Sequence, residues 1–389
     1  MADRQIREIW IHALGAKVGG GITYLRAVLP ELARQLDGRV DSVVVLLPGP
    51  IDDLSIPEWL EVRSYPVPSS SWLRRTMFDQ VTLPCLLGRS RHRALFCTGS
   101  FSPALSGVRT VALLRNAIYF DDRFLRLELP SRRRSFRLQG GLIRWGARRC
   151  AAVMYPTEAM RSLVENGHVS LSRRGIVNPY GVWEDCYGVR TRPARPGSDA
   201  TQQRAKTFLY VMNYNLQKNV GYLLEALALA RDAGIAVRVV LTSRLENGHP
   251  LSEARDQALM ARHHLEESGH VVLAGPQYGD ELVELYATSD ACVFPSICES
   301  FGNPLVEAMA AGKPIVAADR PYARELCGDA AVYVDPEDPS SLLDVWRNWE
   351  ETMQSWRPVP REFLESRFSW QSHVERVVDA LLGGSPGQI

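Results

Sequence analysis

No stretch of the chain approaches the roughly 18 consecutive apolar residues of a membrane span. The opening MADRQIREIW also lacks the basic-then-apolar layout of a secretory leader, so a cytoplasmic protein is expected. The seven cysteines, at 85, 97, 150, 186, 292, 298 and 327, are odd in number and include no Cys-x-x-Cys pair. That excludes a disulfide framework and a zinc ribbon as the organising device. Lysine is scarce: only residues 17, 206, 218 and 313 among 45 basic side chains, so arginine carries nearly all the positive charge. There is no Asp-x-Asp triplet to hold a divalent cation and no Gly-x-Gly-x-x-Gly, which argues against a dinucleotide. The near-zero net charge of +1 conceals a division, since residues 1–190 hold 27 Lys+Arg against 17 Asp+Glu and the remainder is acidic.

The 389 residues exceed one ordinary hydrophobic core, and two domains are expected. Short buried-strand runs (8–14, 42–48, 94–99, 110–114 and 152–157) alternate with helical patterns in the first half. The rhythm repeats at 207–212, 237–243, 271–275, 291–296, 314–319 and 331–335. Such alternation predicts an α/β protein built from two doubly wound parallel sheets. The first domain is placed at 1–190 and the second at 207–365, with a Pro-rich linker at 191–206 and a C-terminal helix, 366–389, crossing back. Ligands of such sheets bind outside the carboxyl ends of the strands, so function is sought in the loops that follow them, facing a cleft.

The densest chemistry lies in Pro295–Gly312. Asn303 as N-cap, Pro304 at the first helical position and Gly312 at the stop predict a short helix whose N-terminus suits a phosphate. Gly302 permits close backbone approach. Glu299 in the loop and Glu307 one turn into the helix can each accept two hydroxyl hydrogen bonds, as a sugar and a ribose diol require. A surface loop with an ordinary helix cap would explain the Asn-Pro pair and the glycines, but not the whole constellation. Gly20 and Gly21, in a Gly-Gly-Gly run leading into a helix, fit either a phosphate-approaching backbone or a plain turn.

The segment from Pro295 to Ala310 resembles the Glu-x7-Glu signature of the retaining GT-B glycosyltransferases of family 4, with Ser300 where glycine is usual. Gly19–Gly21, Asn178–Val182, Lys218-Asn219 and Phe368-Ser369-Trp370 resemble further motifs of that family, in the same order. The resemblance implies two Rossmann-like domains and a nucleoside-diphosphate-sugar donor held mainly by the second domain. Glu307 would hold the ribose, Glu299 the sugar, and Lys218 with the amides near Phe301 and Gly302 the diphosphate. Asn213 stands where the family has an arginine. Arg115 and Asn116 occupy the place of a His-Asp pair and become candidates for phosphate and acceptor contacts. For Lys218 a solvated helix-start lysine is the plain alternative, and for Asn116 a turn. The implied reaction moves a hexose or deoxyhexose, mannose or rhamnose, to a glycan or lipid-linked acceptor of a cell-surface polysaccharide, with no metal or organic cofactor. A nucleotide-sugar epimerase of the same fold and a non-catalytic sugar-binding homologue are the alternatives.

Residues 123–149 carry nine arginines and the single acid Glu128, with Phe124, Phe136, Leu142, Ile143 and Trp145 interleaved. The pattern fits peripheral attachment to an anionic membrane or an ordinary solvated face. No nucleic-acid motif accompanies it.

Overall fold

The computed structural model describes residues 6–16, 20–51, 54, 56–65, 72–166, 171, 174–189 and 205–384. The chain divides into two compact units: residues 1–181 with 369–389, and residues 182–368. The first boundary thus falls at Gly181/Val182 rather than at 190, because the segment from Val182 packs with the second unit. Most of the predicted linker, up to residue 204, lies outside the described residues, and Lys206 already opens a strand. The returning segment starts at Ser369, since residues 366–368 stay with the second unit.

The first unit holds β1 (Glu8–His12), β2 (Ser42–Leu47), β3 (Leu60–Ser64), β4 (Arg89–Cys97), β5 (Gly107–Leu113), β6 (Ala152–Tyr155) and β7 (Gly175–Val177). They form one parallel sheet in the order β3-β2-β1-β4-β5-β6-β7. The apolar runs of β1, β2 and β6 are buried almost throughout, as strands covered by helices on both faces must be. β3 and β7 were not expected. One has a largely exposed Leu-Glu-Val-Arg-Ser sequence and the other only three residues, and both sit at the sheet edges where full burial is not required.

The last helix, Trp370–Leu382, completes the first unit by packing on the helix Gly20–Leu36 and on β4 and β5. Two of the family-like motifs meet there. Trp370 stacks on Tyr180 with ring centroids 5.8 Å apart, and Ser369 caps the helix by accepting from the Ser372 amide. A Cβ on Gly181 would lie 2.3 Å from the Trp370 amide nitrogen, so only glycine fits at that turn. Buried His373 faces the Tyr24 hydroxyl at 2.9 Å and the Pro179 carbonyl at 3.0 Å, while Asn178 donates to the His373 carbonyl.

The second unit holds β8 (Lys206–Tyr210), β9 (Val237–Leu241), β10 (Val271–Leu273), β11 (Ala291–Phe294), β12 (Ile315–Ala318) and β13 (Ala331–Val334). They are parallel in the order β10-β9-β8-β11-β12-β13. The connections leave in opposite directions from the β8/β11 pair, which opens a crevice beyond the carboxyl ends of those two strands.

Candidate active site

The crevice of the second unit receives the loops after β8 and β11, and these carry Lys218 and Glu299. The Lys218 ammonium lies 2.5 Å from Glu299 Oε1, and the Ser296 hydroxyl lies 2.7 Å from the same oxygen. Both charged side chains are largely shielded from solvent. The backbone on either side is fixed by tyrosines rooted in the core. Tyr210 donates to the Lys218 carbonyl, Tyr322 donates to the Ser296 carbonyl, and the Ile297 amide pairs with the Gln217 carbonyl. Lys218 also approaches the face of Phe294, 5.2 Å from the centroid. Two residues separated by 81 positions are thus held as a preformed ion pair.

The helix expected after this loop spans Asn303–Ala310, with Gly312 in the left-handed region behind it. Its N-cap is Gly302, not Asn303, and no side chain caps it. The reason is conformational: Gly302 has φ of +99°, which ends the loop by a left-handed turn and makes Asn303 the first helical residue. Replacing Gly302 with alanine is expected to cost about 1–2 kcal/mol of stability, read as a lower urea midpoint. The added Cβ would also press on Leu305 at 3.3 Å.

Glu307 lies one turn in and is buried, accepting a 2.8 Å hydrogen bond from the Tyr286 hydroxyl. Burial pushes its carboxyl above the usual range, and the Tyr286 bond offsets part of that rise. Among the described residues the other carboxylate oxygen, Oε1, has no hydrogen-bond partner. Phe301 is buried edge-on to Phe368, so only its backbone faces the loop, whereas Ser300 is half-buried and Asn213 is exposed in the loop after β8. Ser296 and Tyr286 are the partners that sequence reading missed. Ser296 lies in the Pro295–Gly312 segment and Tyr286 in the helix Gly279–Thr288, and no spacing rule says that either hydroxyl turns toward a carboxylate 3 or 21 residues away. A separate cavity of about 650 Å³, lined by Cys327, Trp356, Phe363 and Arg367 among others, contains none of the predicted site residues.

The remaining candidates lie in the first unit. Gly20 and Gly21 open the helix Gly20–Leu36, while Gly19 falls outside the described residues. Arg115, after β5, packs its guanidinium over the Tyr24 ring and against that helix start, with Nη2 3.7 Å from where a Gly21 Cβ would stand. A cation at the positive end of a 17-residue helix concentrates positive potential there. Asn116 is engaged locally, its side-chain oxygen capping the turn Ala117–Tyr119 by accepting from the Ile118 amide.

The arginine-rich segment folds as two helices, Asp122–Leu127 and Pro130–Ala147. Arg133 donates to the Arg126 and Glu128 carbonyls, and Arg144 to the Leu163 and Val164 carbonyls, so these two hold the fold. The other seven arginines are exposed. Of the interleaved apolar residues Phe124 and Ile143 are buried and Trp145 is exposed; Leu127 and Leu138 also point outward. Among the described residues no helix is long and apolar enough to cross a membrane.

Residues 205–348 match the family profile described as glycosyl transferases group 1. The O-antigen chain mannosyltransferase RfbU of Salmonella typhimurium is 40% identical over 72 residues, 18% of this chain and 20% of that protein. A D-inositol 3-phosphate glycosyltransferase of Thermomonospora curvata is 30% identical over 240 residues, 58% of this chain and 55% of that one. The chain therefore spans from a fifth to just over half the length of these curated relatives. The crystal structure of Anabaena HepE in complex with UDP-glucose is similar with a TM-score of 0.68 and 16% identity, covering 96% of this chain and 99% of that one. The group 1 glycosyl transferase pattern thus runs through the unit that holds the Lys218–Glu299 pair, over residues 205–348, and the fold of nearly the whole chain matches a solved GT-B structure: the chain has the GT-B architecture, with its second unit carrying the group 1 pattern.

Proposed function

We propose that the protein transfers a hexose or deoxyhexose from a nucleoside-diphosphate sugar to a glycan or lipid-linked acceptor, with retention of anomeric configuration. The observation that carries this reading is the Lys218–Glu299–Ser296 cluster beyond β8 and β11, set before a helix start and followed eight positions later by buried Glu307. Glu307, oriented by Tyr286, accepts the ribose hydroxyls with its second oxygen. Glu299 accepts hydroxyls of the transferred sugar. Lys218 and the amides near Phe301, Gly302 and Asn303 face the diphosphate, with Ser300 and Asn213 at its margin. As the bond to the sugar breaks, charge grows on the leaving diphosphate and the sugar becomes oxocarbenium-like, so a preplaced ammonium and oriented amides stabilise the transition state more than the ground state. Gly20, Gly21 and Arg115 supply a second positive locus for phosphate, and Asn116 shapes the acceptor side. No metal enters this scheme.

Mannose or rhamnose is the proposed sugar, and a cell-surface polysaccharide the proposed product. The similarity to RfbU, an O-antigen chain mannosyltransferase, supports the first choice. The exposed arginines of 123–149 are assigned to an anionic membrane surface, where a lipid-linked acceptor would reside. The test is a thermal-shift series with GDP-mannose, UDP-glucose and dTDP-rhamnose, followed by transfer of labelled sugar to lipid extracts. A donor at about a hundredfold its dissociation constant is expected to stabilise the fold by about 2.7 kcal/mol. The proposal fails if no donor shifts the melt, or if Glu299→Ala transfers sugar at the unaltered rate.

A further inference from the structure

The helical stretch from Trp72 to Leu87 turns one apolar stripe outward while it buries Leu83 and Leu87. Leu73, Met77 and Val81 recur four residues apart and are 58%, 56% and 50% exposed, with Trp72 and Leu86 outward beside them. The fully buried positions on the same stretch are Asp79, Leu83 and Leu87, and the Asp79 carboxylate meets His12 at 2.9 Å and Arg75 at 2.8 Å. A π-turn over Phe78–Thr82 accommodates that inversion. The same reversal occurs in Pro130–Ala147, where Leu138 is 66% exposed while its neighbour Gln139 is 7% exposed. The two helices are joined through one loop: Gln80 bonds the Ser102 carbonyl and the Ala104 amide, Gly146 packs on Ser102, and Leu105 projects outward next to them. Of the sixteen large apolar side chains exposed among the described residues, nine fall between 72 and 145, and the Gln80, Ser102 and Gly146 contacts tie together the segments that carry several of them. Exposed arginines accompany them, including Arg74, Arg134, Arg137 and Arg149, and the exposed acid Asp122 is paired with Arg137.

We propose that the outward face of residues 72–87, together with Leu105, Leu138 and Trp145, is the apolar half of a surface that docks on an anionic lipid bilayer. The inference rests on the membrane reading of 123–149 and extends it to an element whose sequence gave no such signal. Apolar side chains enter the acyl boundary while the arginines meet the head groups, the arrangement of an interfacial amphipathic surface. Charge complementarity selects lipid over a second copy of this face, since two arginine-rich faces repel.

The test is co-sedimentation of the full chain with phosphatidylcholine vesicles, with and without phosphatidylglycerol. Binding is expected only with the anionic lipid. The double variant Leu73→Ser/Met77→Ser is expected to bind at least about tenfold more weakly, with an unchanged urea midpoint and unchanged donor-induced thermal shift. If that variant binds like the wild type while Arg134→Ser/Arg137→Ser does not, the 72–87 surface is refuted and the arginine reading stands. If wild-type protein ignores both vesicles, both membrane readings fall while the transfer reaction is untouched. A dimer that the double variant dissolves, with vesicle binding intact, identifies a second copy as occupant and also overturns the proposal.

Discussion

Lys218→Ala is expected to lower kcat/KM for sugar transfer by about 10²–10³, the range found when one preorganised donor to a developing anion is removed. The effect has two sources. The ammonium is a cation paired to the loop that leads into the helix Asn303–Ala310, where the leaving diphosphate is proposed to sit. It also holds Glu299, through the 2.5 Å contact, in the position from which that carboxylate would grip the sugar. Without it Glu299 keeps only Ser296 on that oxygen and is left as a shielded carboxylate with no cation. Glu299→Gln removes the opposite member, so the pair is read by a double-mutant cycle. If they act as a unit, the double variant loses little more than the worse single variant, and the coupling exceeds about 1 kcal/mol. Lys218→Arg is no conservative rescue, because a planar guanidinium does not reproduce a compact point charge packed against Phe294. A urea titration separates catalytic loss from unfolding. Transfer within about twofold of wild type in a folded Lys218→Ala protein would remove the pair from the mechanism.

Legibility in the sequence followed burial. Every apolar run read as a strand is a strand, because parallel strands covered on both faces cannot disguise their composition. The edge strand β3 and the first, Arg-Ser-Arg-His-Arg half of β4 escaped because exposed backbone tolerates charge, and the edge strand β7 because it has only three residues. The helix at Asn303–Ala310 was legible from its Pro and flanking glycines, but its cap was displaced by one residue. Asn is the better capping side chain in general, and the left-handed φ of Gly302 decided the matter locally. The Lys218–Glu299 contact could not be read, because it depends on β8 and β11 being neighbours across the sheet. Nor could the outward turn of Leu73, Met77 and Val81. A four-residue apolar spacing is the same whether its stripe meets a core or leaves it, and the burial of Asp79 against His12, with Leu83 and Leu87, shows which way the helix is turned.

The same dependence on distant partners gives the first unit a pH-sensitive latch. His373 is fully buried, and burial depresses its pKa from 6.5 to about 4. Nδ1 faces the Pro179 carbonyl, which only accepts, so that nitrogen carries the proton and Nε2 accepts from the Tyr24 hydroxyl. The folded protein therefore holds this imidazole neutral, whereas the unfolded chain protonates it below pH 6.5. Between pH 6.5 and about 4 the unfolded state binds the extra proton, and stability must fall as the pH falls. The full contribution is present above 6.5, and about 3 kcal/mol is lost across the window. His12, also depressed chiefly by burial, acts in the same direction, whereas buried Glu307, with its raised pKa, acts in the opposite one. Urea titrations across this range are expected to show the loss in the wild type and a clearly shallower one in His373→Gln. That variant should start lower at neutral pH, because the stack of Tyr180 on Trp370 and the bond to Tyr24 both depend on this ring. An identical slope in the two proteins would assign the acid sensitivity to His12 and its Asp79 anchor, and would leave His373 as packing alone.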